Sequence, residues 1–287
     1  MAHLIDLSHR GKLIVSGRGA RPFLENVATN DLPQREHTVS TAFVDRFAKI
    51  IALCSVRETE RGFLLDTDLA ATLPLLRYLQ PLAPLSQAVV ENVTFAYGLL
   101  HLSSKDDEEF LKDLSEDIMH FQNGRFGQGT DLFVPAAHVT SVANTLRASV
   151  PFLSPDEAEA FRIVHGIPVH GADYDSSYML LEASDSCVSY TKGCFIGQEV
   201  LARMKNYAGQ LPRKVVAIRS ASPIMKGETI QHDNQEVGKV TSVCTHNDVW
   251  HGIATIKKPW YAPGERIMSQ QGNADIYVQG EKTEKGE

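Results

Sequence analysis

The run Lys192-Gly193-Cys194-Phe195-Ile196-Gly197-Gln198-Glu199 sets a thiol just after a lysine and ahead of an amide–carboxylate pair. A thiol reacts as its thiolate, and a nearby cation or the positive end of a helix favours that form. The sequence predicts a helix beginning near Phe195, which would hold Cys194 against unpaired backbone N–H groups, with Lys192 as the cation. Gly193 would let the backbone turn sharply or come close to a ligand. Lys192 and Cys194 are therefore the candidate catalytic residues. The competing reading is packing: Cys194 as a small buried hydrophobe, and Gln198-Glu199 as a solvated helix face.

Other constellations carry less. Gly17-Arg18-Gly19 follows a predicted strand, but Pro22 stands where a dinucleotide fingerprint needs its third glycine. Gly11-Lys12 lacks the upstream glycine of a phosphate loop, and neither GxSxG nor HExxH occurs. His165 and His170 straddle Pro168 without a cysteine or carboxylate at ligand spacing, and Asp173 and Asp175 read as turn residues. No metal site is expected. Cys54, Cys187, Cys194 and Cys244 form no CxxC and no disulfide framework.

The elements that must position these residues follow from periodicity. Lys12 to Ser16 reads as a strand and 20–29 as a helix. Thr41 to Val56 is a hairpin broken at Asp45-Arg46, with 61–66 as a third strand. Residues 68–79 form a helix ending before Pro81, 88–102 return to strands, and the acidic run 105–119 reads as a solvated helix. Ser154, Pro155 and Glu157 make a strong helix start, and Gly166 ends that helix. From Arg213 onward, short strands alternate with turns at 232–234 and 246–248. They predict a small, partly closed barrel. The class is α+β, built from ferredoxin-like units.

Composition sets the limits. The chain has 287 residues, 43% hydrophobic and 22% charged, with a formal charge of −7, which argues against a nucleic-acid coat. No run approaches the roughly 20 apolar residues of a membrane span. The N-terminus lacks an apolar signal core, so a cytoplasmic setting is expected.

The run KGCFIGQE resembles the K-G-C-[YF]-x-G-Q-E signature of the YgfZ family. These folate-dependent proteins assist iron–sulfur cluster assembly or repair and share ancestry with the T-protein, the aminomethyltransferase of the glycine cleavage system. The likeness extends to 4-LIDLSHRGKLIVSGRGARPFLENVATNDL-32, to 162-RIVHGIPVHGADYDSSYMLLEAS-184 and to 237-VGKVTSV-243. It implies two ferredoxin-like units, one interleaved in sequence, and a C-terminal β-barrel around a central folate pocket. Its implied boundaries are 1–45 with 140–210 for the folate-binding domain, 46–139 for the second unit and 211–280 for the barrel, with 281–287 a frayed tail.

The resemblance makes Arg162, Glu182 and Lys192 tetrahydrofolate-binding candidates, with Asn30 and Asp31 at the rim and Cys194 in the same pocket. A carboxylate such as Glu182 suits the donors of a pterin. Arg203, Lys205, Arg213 and Lys214 suit the anionic glutamate tail, or else form an ordinary solvated helix end. The implied partners are iron–sulfur client or assembly proteins, including a tRNA methylthiolation enzyme, with no membrane and no direct nucleic acid. T-proteins carry a methylene-transferring aspartate after the third strand. Thr67 to Pro74 offers only Asp68, placed too early, and the YgfZ branch lacks that acid too. The family's hairpin turn carries glycine where this chain has Ala48. The alternatives are an aminomethyltransferase or other folate-dependent one-carbon transferase, and a non-catalytic folate-binding scaffold.

Overall fold

The computed structural model describes residues 2–34, 37–104, 107–112, 114–206, 211–269 and 275–278. The expected frayed tail, 281–287, lies outside them. The chain divides into one unit of Met1–Ala158 with Ser186–Gln198, and another of Glu159–Asp185 with Glu199–Glu287.

The first unit holds two antiparallel sheets. One contains β2 (Gly11–Ser16), β3 (Thr38–Val44), β4 (Ile50–Thr59), β5 (Gly62–Thr67) and β6 (Val89–Asn92), in the order β3-β4-β5-β2-β6. Helices α1 (Ala20–Val27) and α2 (Leu69–Leu79) pack on it. In α1 the buried residues are Ala20, Phe23, Leu24 and Val27, the spacing of a single helical face. They join Leu13, Val15, Phe43, Val56 and Leu65 in one core. The predicted hairpin is present, and its turn places Ala48 at φ 61°. Asp45 Oδ1 accepts the Phe47 and Lys49 N–H groups at 2.8 and 2.9 Å, so a side chain braces a conformation that glycine would adopt without strain. Residue 45, the expected domain boundary, falls in this turn, between strands paired from Thr38 to Arg57.

The other sheet runs β1 (His3–Asp6), β7 (Tyr97–Ser103), β9 (Thr130–Pro135), β8 (Met119–Gln122), backed by α4 (Val139–Arg147). The predicted acidic helix over 105–119 is corrected here: among the described residues of that run only α3 (Glu108–Leu111) is helical. Phe110 and Leu111 of α3, and Leu114 beyond it, lean on the core, but Ile118 and Phe121 are buried with the sheet and draw Met119–Gln122 into a strand. Sheet burial outweighs the local helical preference of a charged run.

The second unit opens within α5 (Pro155–Val164), which begins, in the first unit, at its predicted cap. The Ser154 N–H donates to Glu157 Oε2 at 2.8 Å, and the Glu157 N–H returns to Ser154 Oγ at 3.3 Å. Gly166, at φ 67°, follows its end. Short α6 (Leu180–Ala183) and α7 (Gln198–Asn206) complete the helices. The C-terminal strands β10 (Arg213–Ser220), β11 (Thr229–His232), β12 (Gln235–His246), β13 (Val249–Lys257), β14 (Arg266–Ser269) and β15 (Asp275–Val278) form a closed barrel, not the partly closed one expected. Closure comes from β10, which pairs with both β13 and β15. Asp233-Asn234 and Asn247-Asp248 all have positive φ, the two-residue hairpin turns the sequence announced.

Candidate functional site

The signature loop is laid on the C-terminal end of α1. Lys192 Nζ donates to the carbonyls of Ala28 at 2.8 Å and Asn30 at 2.9 Å. Ser189 N–H donates to Thr29 O at 3.0 Å, and Ile196 N–H to Asn26 O at 3.3 Å. Thr29 Oγ1 donates to the Cys187 carbonyl at 2.6 Å while accepting the Ala42 N–H at 2.9 Å. Phe195 is buried beneath, its ring centroid 5.3 Å from the Lys192 ammonium. Burial lowers the Lys192 pKa, against the opposing charges of Asp31 and Glu25.

Cys194 is exposed, which removes the buried-hydrophobe reading. The expected helix start is also corrected: α7 begins at Gln198, not near Phe195. Gly197 sits at φ 84°, and a Cβ there would lie 2.8 Å from Val44 Cγ2 and 2.9 Å from Asp45 O, so the chain turns once more against the hairpin before the helix begins. Cys194 therefore precedes the first helical turn, and the nearby ammonium is directed at backbone carbonyls. Around Gly193 no heavy atom comes within 4 Å of where a Cβ would stand, so its space is open.

Asn30 and Asp31 shape the adjoining turn. Asn30 Nδ2 donates to Ser40 O at 2.9 Å, and its Oδ1 accepts the Asp31 N–H at 2.9 Å. The first unit thus brings Lys192, Asn30 and Asp31 together.

Arg162 and Glu182 belong to the second unit, each with partners of its own. Arg162 is 7% exposed and donates to Asp173 Oδ2 at 2.9 Å and Ser242 Oγ at 3.0 Å. Asp173 Oδ1 also accepts from the hydroxyls of Thr241 and Ser242, so this expected turn residue is a buried anchor of the "VTS" strand. Glu182, 4% exposed, accepts from Arg213 Nε at 3.2 Å and from the Met179 N–H at 3.1 Å. The Arg213 guanidinium stacks 3.6 Å from the centre of the Tyr178 ring. Lys214 lies 3.9 Å from Asp185, and Arg203 pairs with Glu199 at 2.9 Å on an exposed helix face.

The sequence reading missed a buried charge cluster in the first unit. Arg57 donates to Asp66 at 2.6 Å and also to Asp131. Arg125 reaches Asp66 and Asp131 at 3.0 Å each, Arg10 meets Asp66 and Asp68, and His101 Nδ1 lies 2.7 Å from Asp131. These arginines hold the Asp66 and Asp131 carboxyls well below the usual range, against burial. Arg57 Nε, Arg125 Nε and His101 Nε2 find no hydrogen-bond partner among the described residues. A signal existed: Lys12, Arg57, Asp66, His101 and Asp131 each sit inside an otherwise apolar strand run. Lys12 faces Asp66, and His101 faces Asp131, across paired strands.

A cavity of about 340 Å³ nearby, lined by Asp107, Asn123, Gln128 and Gly129 among others, contains none of the expected site residues. Among the described residues no group of three or more His, Cys, Asp or Glu is placed to hold a metal ion, and no helix is long and apolar enough to cross a membrane.

No family model matches the sequence. An aminomethyltransferase of Caldanaerobacter subterraneus is 27% identical over 274 residues, covering 84% of this chain and 72% of its own length. An aminomethyltransferase of Exiguobacterium sibiricum is 25% identical over 266 residues, covering 79% of this chain and 72% of its own. The crystal structure of glycine cleavage system aminomethyltransferase T from Bartonella henselae matches with a TM-score of 0.84 at 18% identity, over 97% of this chain and 85% of that one. The chain therefore has the T-protein fold.

Proposed function

We propose that this chain is a tetrahydrofolate-binding protein of the YgfZ type. Its work is to support assembly or repair of iron–sulfur clusters in the cytoplasm, including those of tRNA-modifying enzymes. One observation carries the reading. The KGCFIGQE loop is tied down at Lys192, Phe195, Ile196 and Gly197, and it leaves Cys194 exposed beside the open space at Gly193. A motif spent on presenting one thiol suits a protein whose thiol does the work.

The donor set fits a folate. Glu182 is a buried carboxylate that can accept from a pterin's amino and ring N–H groups, and the Arg213–Tyr178 stack offers a flat cationic wall. Arg203, Lys205 and Lys214 would meet the glutamate tail. Arg162, held by Asp173, serves this surface by fixing the backbone around it. The ferredoxin-like reading belongs to the same proposal, supported by the order β6-β2-β5-β4 with a helix after β2 and another after β5. So does a discontinuous folate-binding domain of 1–45 with 140–210, a second unit of 46–139 and a separate barrel over 211–280.

The second reading, an aminomethyltransferase, is favoured by the names of the relatives. Against it, Asp66 and Asp68, the acids at the end of the third strand of the hairpin sheet, are both held in arginine pairs. Thermal unfolding with and without tetrahydrofolate tests the shared premise, because a ligand bound only to the native state raises its stability. Restoration of iron–sulfur enzyme activity in cells lacking this protein separates the two readings.

A further inference from the structure

We infer that Lys192 is a positioning residue: its ammonium clamps the signature loop to backbone carbonyls at the end of α1 and just past it, and the thiol of Cys194 is held in place by it. This rests on the proposed function only in taking Cys194 as the working group. Helix α1 has no basic residue in its last turn, and its C-cap is Ala28. Helix ends carry unpaired carbonyls and a partial negative charge, which a cation in the last turn ordinarily meets. Here that cation arrives from 164 residues along the chain. Two of its three N–H bonds go to Ala28 O and Asn30 O, and the ammonium stands over Phe195, the residue after the thiol. Ser189 Oγ accepts the Lys192 N–H at 3.2 Å, so the loop is pinned on both sides of the lysine's own backbone.

The assignment changes what the first residue of the motif is for. A lysine acting on the thiol, or on a ligand's anion, would need its ammonium available to them. Here the carbonyls already occupy it, and Asp31 and Glu25 are the charged groups that face it. The clamp also has a built-in pH dependence. Burial lowers the Lys192 pKa, so raising the pH discharges it sooner than an exposed lysine and weakens its hold on the carbonyls.

Hydrogen exchange of the Ile196 amide, which donates to Asn26 O, corrected for its intrinsic rate, tests this in the full-length protein without folate or a client. Lys192→Met should lower protection there by about tenfold or more, the loss of a charged hydrogen bond. Lys192→Arg should restore most of it. In the unmodified protein protection should fall as the pH rises, at a lower pH than an exposed lysine would discharge, whereas in Lys192→Arg it should stay level, a comparison that holds even if Lys192→Met does not fold. If Lys192→Met keeps full protection and instead moves the pH profile of Cys194 alkylation, the lysine acts on the thiol as a charge, and the clamp is wrong. Failure of the iron–sulfur reading would leave these exchange results untouched.

Discussion

Arg57 Nη1 lies 2.6 Å from Asp66 Oδ1, and both side chains are fully buried. The two stand on neighbouring strands of one sheet, and Arg57 also reaches Asp131 on the other sheet of the same unit. A buried ion costs several kcal/mol to desolvate, so removing one member leaves buried charge that its remaining partners compensate only in part.

Arg57→Met should therefore destabilise the protein by about 3–5 kcal/mol, measured by urea unfolding. A loss under about 1 kcal/mol would mean that Arg10 and Arg125 carry the two aspartates unaided.

The same cluster sets the acid response. The folded-state pKa values of Asp66 and Asp131 are depressed, so their contribution is fully present above the unfolded carboxyl value. It is lost as pH falls through the folded values, which lie well below 3.8. The stability difference between the unmodified protein and Asp131→Asn should hold from pH 7 down to about 4 and shrink only below that. A difference that vanished between pH 7 and 5 would assign the effect to another group.

Cys194 should be alkylated before the other cysteines, because it is exposed while Cys54 and Cys187 are buried. Burial also pushes the Cys54 and Cys244 thiols up. Peptide mapping after limiting iodoacetamide reads the order. Cys194→Ser should change stability by less than about 0.5 kcal/mol yet fail to support iron–sulfur enzymes. A fully active serine variant would reduce the thiol to a passive surface group.

Mixing the protein with an aminomethylated lipoyl carrier and tetrahydrofolate should release no ammonia above background, given the ion-paired states of Asp66 and Asp68. Robust release would establish the aminomethyltransferase reading and displace the YgfZ one.

Glu182→Gln keeps the side-chain shape but removes the charge offered to a pterin. Tetrahydrofolate binding measured by calorimetry should weaken by about 1.5–3 kcal/mol. Unchanged affinity in a folded variant would take Glu182 out of the site.

The sequence by itself determined whatever is decided within a few residues. The Ser154–Glu157 cap, the stop at Gly166, the turns at Asp233-Asn234 and Asn247-Asp248, and the single-faced helix of α1 were legible because each depends on one turn's geometry. The KGCFIGQE motif likewise singles out Cys194 through its resemblance to a known signature, which is read from the sequence. Only the tertiary structure decided how that motif is held. Gly197 delays the helix because the hairpin occupies the space beside it, and Lys192 turns to carbonyls 164 residues away. It also decided that Arg57, Asp66 and Asp131 share one buried site, since that pairing depends on how two sheets stack. Local preferences act over a turn or two of chain, whereas the partners of a buried charge are fixed by strand register and packing, and single-sequence periodicity carries neither.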